Sequence, residues 1–119
     1  KYNVDKKIDS VGLENCYISE ITVAELKYGA ELGRRNGLEN RQQSLNKFLD
    51  SIHVLPITGA LDLFASEKVR LRLAGTPADD NFDLLIGCSA IAHNMIMVTE
   101  NLKDFKNFLK IRLENWIER

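Results

Sequence analysis

The sequence predicts an α/β fold, with a mainly parallel sheet that carries helices on both faces. Short apolar runs of strand length alternate along the chain with segments whose apolar residues recur at helical spacing. The run from Met95 to Thr99 is apolar throughout its length, which is typical of a parallel strand covered on both faces. The segment that follows Asp80 is apolar on nearly every side, which is typical of a central, buried helix.

The composition is that of one globular domain spanning residues 1–119. Of these 119 residues 45% are hydrophobic and 28% are charged, and the net charge is −1, so any RNA contact must come from a local basic patch. Cys16 and Cys88 lie in apolar runs without Cys-x-x-Cys spacing, which favours reduced thiols and a cytoplasmic location. No segment has membrane-spanning length or the pattern of a signal peptide, so no membrane contact is expected.

The first part of the chain is predicted to hold three helices and one strand. In chain order these are a helix over Lys1–Val11, a strand over Asn15–Ser19 and helices over Ile21–Leu32 and Leu38–Ile52. Thr22, with Glu25 three residues later, matches a capping box, and Gly33 marks the end of that helix.

The remaining chain alternates strands and helices. The pattern predicts a strand at His53–Leu55, a helix from Leu61 to about Ala74, a helix from Asp80 to about Asn94, a strand at Met95–Thr99, a short helix around Asp104–Phe108 and an edge strand at Ile111–Trp116. Asp80 is predicted to cap the buried helix. This order favours parallel strands joined by helical crossovers.

Three polar residues are placed where a parallel sheet binds ligands, outside the carboxyl ends of its strands. Glu25 and Asp83 lie in the first turns of their helices, and Asn101 follows the third strand by two residues. Each also has an ordinary role as a cap or as a complement to a helix dipole. If these side chains converge, which spacing alone does not show, their oxygens could hold one or two Mg²⁺ ions, whose bound water can attack a phosphodiester.

Four blocks of sequence stand in order between Ile18 and Trp116. They are Ile18–Leu26 with Tyr28–Glu31; Gly75–Pro77 with Phe82–Gly87 and Ala90–Asn94; Val98–Asn101 with Phe105; and Leu113–Trp116. In this order and spacing they resemble the conserved blocks of the VapC-type PIN-domain toxins. The resemblance implies a PIN-like α/β domain.

The same resemblance implies roles for individual residues. Glu25 matches the family's helix glutamate and Asp83 its central metal-binding aspartate. Asn101 occupies the fourth position of the site, where a neutral side chain would orient water or metal. Thr99 is a supporting residue for Asn101. The implied cofactor is Mg²⁺, with Mn²⁺ as the alternative.

The implied activity is that of a metal-dependent endoribonuclease toxin that cuts structured RNA, with tRNA and rRNA as the candidate substrates. Lys103 and Lys106 lie near the predicted rim of the site and are weak candidates for contact with RNA phosphates. The implied partners are a cognate antitoxin and a second copy of the chain in a homodimer.

The chain departs from the family at its front, where the family has a strand ending in a metal-binding aspartate. Asp5 and Asp9 lie instead in a charged helical segment, and the chain begins at Lys1 rather than at Met. We therefore expect the given chain to lack the family's first strand and helix and to be poorly active or inactive. The Cys16–Ser19 and Met95–Thr99 strands should then not be neighbours, because the missing strand would lie between them.

Two other functions stay open. A PIN-like module without its full set of ligands would bind an antitoxin or another protein without cleaving RNA. A phosphoacceptor receiver domain is a weaker alternative, because Val98-Thr99-Glu100-Asn101 lacks the lysine that such a domain carries after a late strand.

Overall fold

The computed structural model describes residues 4–117. Its six α-helices and four strands follow the order that the sequence predicts. They are α1 (Val4–Val11), β1 (Tyr17–Ser19), α2 (Glu20–Arg35), α3 (Asn40–Ser51), β2 (His53–Leu55), α4 (Leu61–Leu73), α5 (Asn81–Ala92), β3 (Ile96–Val98), α6 (Leu102–Phe105) and β4 (Arg112–Glu114). None of the helices in this part of the chain is long and apolar enough to cross a membrane. Lys1–Asn3, the start of the predicted first helix, lie outside the described residues.

The strands form two separate parallel pairs. β1 pairs with β2, with Tyr17 opposite His53, and β3 pairs with β4, with Ile96 opposite Arg112. β1 and β3 are not hydrogen-bonded to each other, as predicted. Because each parallel pair is joined through helices, the fold is α/β.

The prediction that the third strand is buried on both faces is wrong. Ile96 and Val98 of β3 are 45% and 43% exposed, whereas Met97 packs against the core. The physical reason is that β3 has one strand neighbour, β4, and packs against α5 through one of its faces. The apolar run was long enough for a strand but did not show how many of its sides are covered.

The predicted capping box is also wrong, because α2 begins before Thr22. Ser19 is the N-cap, and its side chain accepts a hydrogen bond of 3.1 Å from the backbone N–H of Ile21. The last residue of β1 is therefore also the cap of α2, and the strand passes directly into the helix. Glu25 consequently lies beyond the first turn and takes no part in a cap.

Helix α5 is the centre of the core, as predicted. Its Leu84 and Cys88 are fully buried and belong to one cluster with Leu71 of α4. Gly87 allows a close approach of Phe108, since a Cβ atom at this position would lie 2.6 Å from Phe108 Cε2. This contact places the chain that follows α6 against α5.

A buried carboxylate ties α4 to the same segment. Glu67 accepts hydrogen bonds from Arg70 Nε at 2.6 Å and from the backbone N–H of Leu109 at 3.0 Å. Arg70 also donates to the carbonyl of Asn107 at 2.7 Å. The hydrogen bond from Arg70 lowers the pKa of the Glu67 carboxyl, which is therefore ionised at neutral pH. These bonds hold the chain around α6 in place, and α6 forms one wall of the candidate site.

Candidate functional site

The candidate site is built on the first turn of α5. Asp80 is the N-cap, as the sequence predicts, and its Oδ1 accepts hydrogen bonds from the backbone N–H of Phe82 at 2.9 Å and of Asp83 at 3.2 Å. The cap fixes the backbone of this turn. It thereby fixes the point from which the Asp83 side chain leaves the helix.

A cavity of about 540 Å³ lies beside this turn. Asp79, Asp80 and Asp83 line it on the α5 side, and Lys103 and Asp104 line it on the α6 side. Carboxylates thus outnumber the single lysine on its walls. An acidic cavity of this kind favours a hard cation over a free anion.

Neighbouring carboxylates act on Asp83. Burial raises the pKa of the Asp83 carboxyl, and the negative charges of Asp80, Asp104 and Glu25 raise it further. The ionised form of Asp83 is therefore less favourable than that of an ordinary aspartate. A bound cation would relieve this repulsion, so the electrostatics of the site favour cation binding.

Glu25 and Asp83 are brought to the same region of the molecule. Glu25 is exposed on α2, and α2 packs against α5. The charge of Glu25 is close enough to raise the pKa of the Asp83 carboxyl. The two carboxylates therefore do not lie on opposite faces of the domain.

Asn101 lies between β3 and α6. Its backbone N–H donates to Thr99 Oγ1 at 3.0 Å, and its carbonyl accepts from the N–H of Asp104 at 3.1 Å. Asn101 is the N-cap residue of α6, as predicted, but its side chain makes no capping hydrogen bond. Within residues 4–117 no hydrogen bond joins this side chain to Glu25 or Asp83. Thr99 thus holds the backbone of Asn101 just before α6, and Asn101 is not among the described residues that line the cavity.

The two candidate lysines have different positions. Lys103 lines the cavity, whereas Lys106 is exposed and is not among the described lining residues. Asp104 is a member of the site that sequence reasoning missed, because the pattern assigned it only to a short helix. One signal in the sequence could have pointed to Asp104. It follows the predicted site residue Asn101 by three positions, and residues three apart lie on the same side of a helix turn.

The acidic side chains around Asp83 can be compared with the ligands that a metal ion needs. Across residues 4–117 no group of three or more His, Cys, Asp or Glu side chains is arranged to hold one. The oxygens of Asp83 and its neighbours are nevertheless the kind that Mg²⁺ takes, and Mg²⁺ often binds through one or two carboxylates and several waters. The residues therefore fit a cation held largely by water and not a closed metal centre.

The chain is similar in sequence to known proteins along most of its length. The model of the PIN domain family matches residues 2–110. Ribonuclease VapC2 of Rickettsia felis is 35% identical over 100 residues, which cover 83% of this chain and 72% of that protein. The tRNA(fMet)-specific endonuclease VapC of Salmonella typhimurium is 32% identical over 100 residues, which cover 83% of this chain and 74% of that protein.

The fold is similar to that of a solved structure as well. This is the crystal structure of VapBC2 from Rickettsia felis bound to a DNA fragment from their promoter. The TM-score is 0.82 at 31% sequence identity, and the match covers 94% of this chain and 84% of that chain. The similarity therefore includes the elements that carry the candidate site.

Proposed function

Because the chain belongs to the VapC family of PIN-domain proteins, we propose that it is the endoribonuclease toxin of a toxin–antitoxin pair and hydrolyses RNA phosphodiesters with Mg²⁺. One observation carries the proposal: Asp83 stands at the capped start of α5, where the charges of other carboxylates act on it. Two relatives named as a ribonuclease and a tRNA(fMet)-specific endonuclease support RNA as the substrate class. Among RNAs, tRNA is the first candidate and rRNA the second.

Asp83 and Glu25 are the proposed ligands of Mg²⁺, or of Mn²⁺, which accepts the same type of oxygen. When bound, such an ion lowers the pKa of a coordinated water and neutralises charge on the phosphate. The cap from Asp80 holds the backbone N–H of Asp83 and so fixes the point from which the Asp83 side chain leaves the helix. Because the pKa of the Asp83 carboxyl is raised, its ligating, ionised form is lost earlier than that of an ordinary aspartate as the pH falls.

The other residues of the site have supporting roles in this proposal. Asn101 is neutral and would orient a water through its amide, while Thr99 holds its backbone. Lys103 lies on the cavity wall and would contact an RNA phosphate. Lys106 is exposed outside that lining and is a lesser candidate for the same contact.

The proposed partners are a cognate antitoxin and a second copy of the chain, and the proposed location is the cytoplasm. Similarity to the VapBC2 structure supports the antitoxin as a partner. The reduced state expected for Cys16 and Cys88 supports the location, and both cysteines are free thiols in the structure.

The test replaces Asp83 by Asn and assays cleavage of purified tRNA and rRNA in Mg²⁺. We expect the rate of RNA cleavage to fall about 100-fold or more. Loss of a group that only orients a metal ligand already lowers activity by up to about 100-fold, and Asp83 is proposed as a ligand itself. Asp50→Asn is the matched control, because Asp50 is exposed on α3 and lies outside the cavity lining. Circular dichroism checks that both variants fold. Equal cleavage by the Asp83→Asn variant would remove Asp83 from the mechanism.

A second candidate function is that of a catalytically inert PIN-like module that binds an antitoxin or another protein. The absence of a three-residue metal group within residues 4–117 favours it. Titration calorimetry with Mg²⁺ and Mn²⁺ separates the two functions. An inert module would bind neither ion at its Asp83 site and would leave RNA intact, whereas the nuclease would bind at least one ion and lose that binding on Asp83→Asn.

A further inference from the structure

An aromatic ring is exposed directly beside Asp83. Phe82 is the second residue of α5 and is 55% exposed. Single apolar residues at a protein surface are common and need no explanation by themselves. The position of this ring is informative, because its neighbour in the chain is the central carboxylate of the candidate site.

The cap of α5 holds Phe82 and Asp83 in the same turn. The backbone N–H of Phe82 donates to Asp80 Oδ1 at 2.9 Å, and that of Asp83 donates to the same atom at 3.2 Å. The Cα atoms of neighbouring residues are about 3.8 Å apart, which is close to the spacing of about 3.4 Å between successive nucleotides of one stacked strand. A strand with a phosphate at Asp83 therefore brings an adjacent base within reach of the Phe82 ring.

Phe82 separates two sides of α5 that carry different polar groups. Residues of an α-helix follow one another in steps of about 100°, so Phe82 lies between the side of Asn81 and the side of Asp83. Asp83 faces the cavity, whereas Phe82 is not among the described residues that line it. On the side of Asn81, Lys68 Nζ donates a hydrogen bond of 2.6 Å to Asn81 Oδ1.

Lysines lie on both sides of the ring. Lys68 is exposed, its partner Asn81 is a neutral amide, and within residues 4–117 no ion pair neutralises its ammonium group. That group also lies 5.7 Å from the centre of the Phe64 ring, a second contact that holds it in place. Lys103 lies on the other side, in the wall of the cavity. The order around the start of α5 is thus a lysine, an aromatic ring, the carboxylate site and a second lysine.

This order of groups fits a single strand of RNA. Lysines bind phosphates, and an aromatic ring binds the face of a base. Such a base must be unpaired and splayed out, because within a helix its faces are covered by the neighbouring bases. An apolar protein segment would also cover the Phe82 ring, but it would leave the Lys68 ammonium group without an anionic partner.

We propose that Phe82 and Lys68 form a base-binding subsite next to the candidate site. An unpaired base of the RNA stacks on the Phe82 ring, and the phosphate of that nucleotide binds Lys68. The inference rests on the proposed function, because it takes RNA as the substrate. Every base has an aromatic face, so the ring selects an unpaired nucleotide and not a particular sequence.

The first test measures binding of a labelled single-stranded RNA oligonucleotide of mixed sequence by fluorescence anisotropy, in EDTA so that metal-dependent cleavage does not occur. Phe82→Ala should weaken binding about fivefold or more, because the stacked base loses its platform. Phe82→Leu keeps an apolar side chain without an aromatic face and should weaken binding to a similar extent, whereas Phe82→Trp should retain it. Full binding by Phe82→Ala or by Phe82→Leu overturns the proposal.

Phe48→Ala is the matched control for loss of an exposed ring. Phe48 is 39% exposed on α3 and lies outside the cavity lining, so this variant should bind the oligonucleotide as the unsubstituted chain does. Circular dichroism checks that each variant folds. An equal loss of affinity in the Phe48 and Phe82 variants would contradict a specific subsite.

The second test separates the ring from the charge. Lys68→Gln keeps a donor for Asn81 but removes the ammonium group, so it should reduce the slope of log affinity against log salt by about 0.7. Phe82→Ala should leave that slope unchanged, because the ring carries no charge. An unchanged slope in Lys68→Gln would remove the phosphate contact from the proposal.

The Phe82→Trp variant reports stacking directly. Its fluorescence, after subtraction of the signal of Trp116 measured in the unsubstituted chain, should be quenched by the oligonucleotide and not by an abasic strand of the same length. A role of Phe82 in the fold alone would not produce this difference. Equal quenching by both strands contradicts the stacked base.

RNA cleavage in Mg²⁺ is measured on the same variants, so that the two proposals fail separately. Phe82→Ala should raise the KM for RNA, whereas Phe48→Ala should not. A chain that cleaves RNA with the same KM after Phe82→Ala is a nuclease without this subsite. A chain that binds the oligonucleotide in the predicted pattern but does not cleave RNA contradicts only the nuclease. If the chain has no affinity for single-stranded RNA, or if Phe82→Ala changes only its self-association in sedimentation, the subsite is refuted.

Discussion

Replacement of Asp80 by Ala should destabilise the domain through the loss of one helix cap. Asp80 Oδ1 accepts hydrogen bonds of 2.9 Å and 3.2 Å from the backbone N–H groups of Phe82 and Asp83. Both bonds lie at the exposed end of α5, so water can replace the lost acceptor in part. The expected cost is therefore about 1 kcal/mol, in the middle of the range for such caps. In a domain of this size that lowers the melting temperature by about 4 °C.

Asp80→Asn separates the cap from the charge. An asparagine oxygen caps as well as an aspartate oxygen, so the melting temperature should stay within about 1 °C of the original value. The negative charge is lost, and this should lower the pKa of the Asp83 carboxyl, because Asp80 is one of the charges that raise it. Thermal unfolding measures the first effect, and an NMR titration of the Asp83 carboxyl measures the second. If Asn is as destabilising as Ala, or if the pKa of Asp83 does not fall, this account of Asp80 is refuted.

Two more predictions concern α5. Gly87→Ala should destabilise the fold by about 1–3 kcal/mol, because the new Cβ would lie 2.6 Å from Phe108 Cε2. Urea unfolding measures this loss, and an unchanged urea midpoint would mean that the Phe108 ring moves aside freely. Asp83→Asn should stabilise the metal-free protein at neutral pH, because the fold raises the pKa of this carboxyl and so penalises its ionised form. That gain should disappear as the pH falls below the ordinary value of 3.8, where Asp83 is protonated in both states, and a gain that persists at pH 3 would contradict the electrostatic cause.

Local signals made much of the fold predictable. β2 begins and ends at the predicted residues, His53 and Leu55, and its end was predictable because a proline follows it directly. The cap at Asp80 was predictable because it depends on residues within three positions in the sequence. The predicted capping box at Thr22 was wrong because the sequence offers two hydroxyl caps close together. Ser19, three residues before Thr22, caps the helix instead.

The composition of the site was harder to predict, because it depends on contacts between distant parts of the chain. Asp104 acts on Asp83 across 21 positions of sequence, and Glu25 acts on it from α2. Nothing in the spacing of these residues shows that α6 forms a wall of the cavity at the start of α5. That placement depends on Gly87 and Glu67, whose contacts with the chain after α6 appear only in the structure.

The two strand pairs differ in the length of chain that each one closes, and this difference bears on the order in which the fold assembles. Tyr17 pairs with His53, 36 positions later, whereas Ile96 pairs with Arg112, 16 positions later. Closing the longer loop costs about 0.7 kcal/mol more conformational entropy if both loops are flexible. Helices α2 and α3 lie within the longer loop and pack against each other, so their association brings its ends together. The β3–β4 pair can therefore form early from nearby chain, while the β1–β2 pair must wait for that helical hairpin.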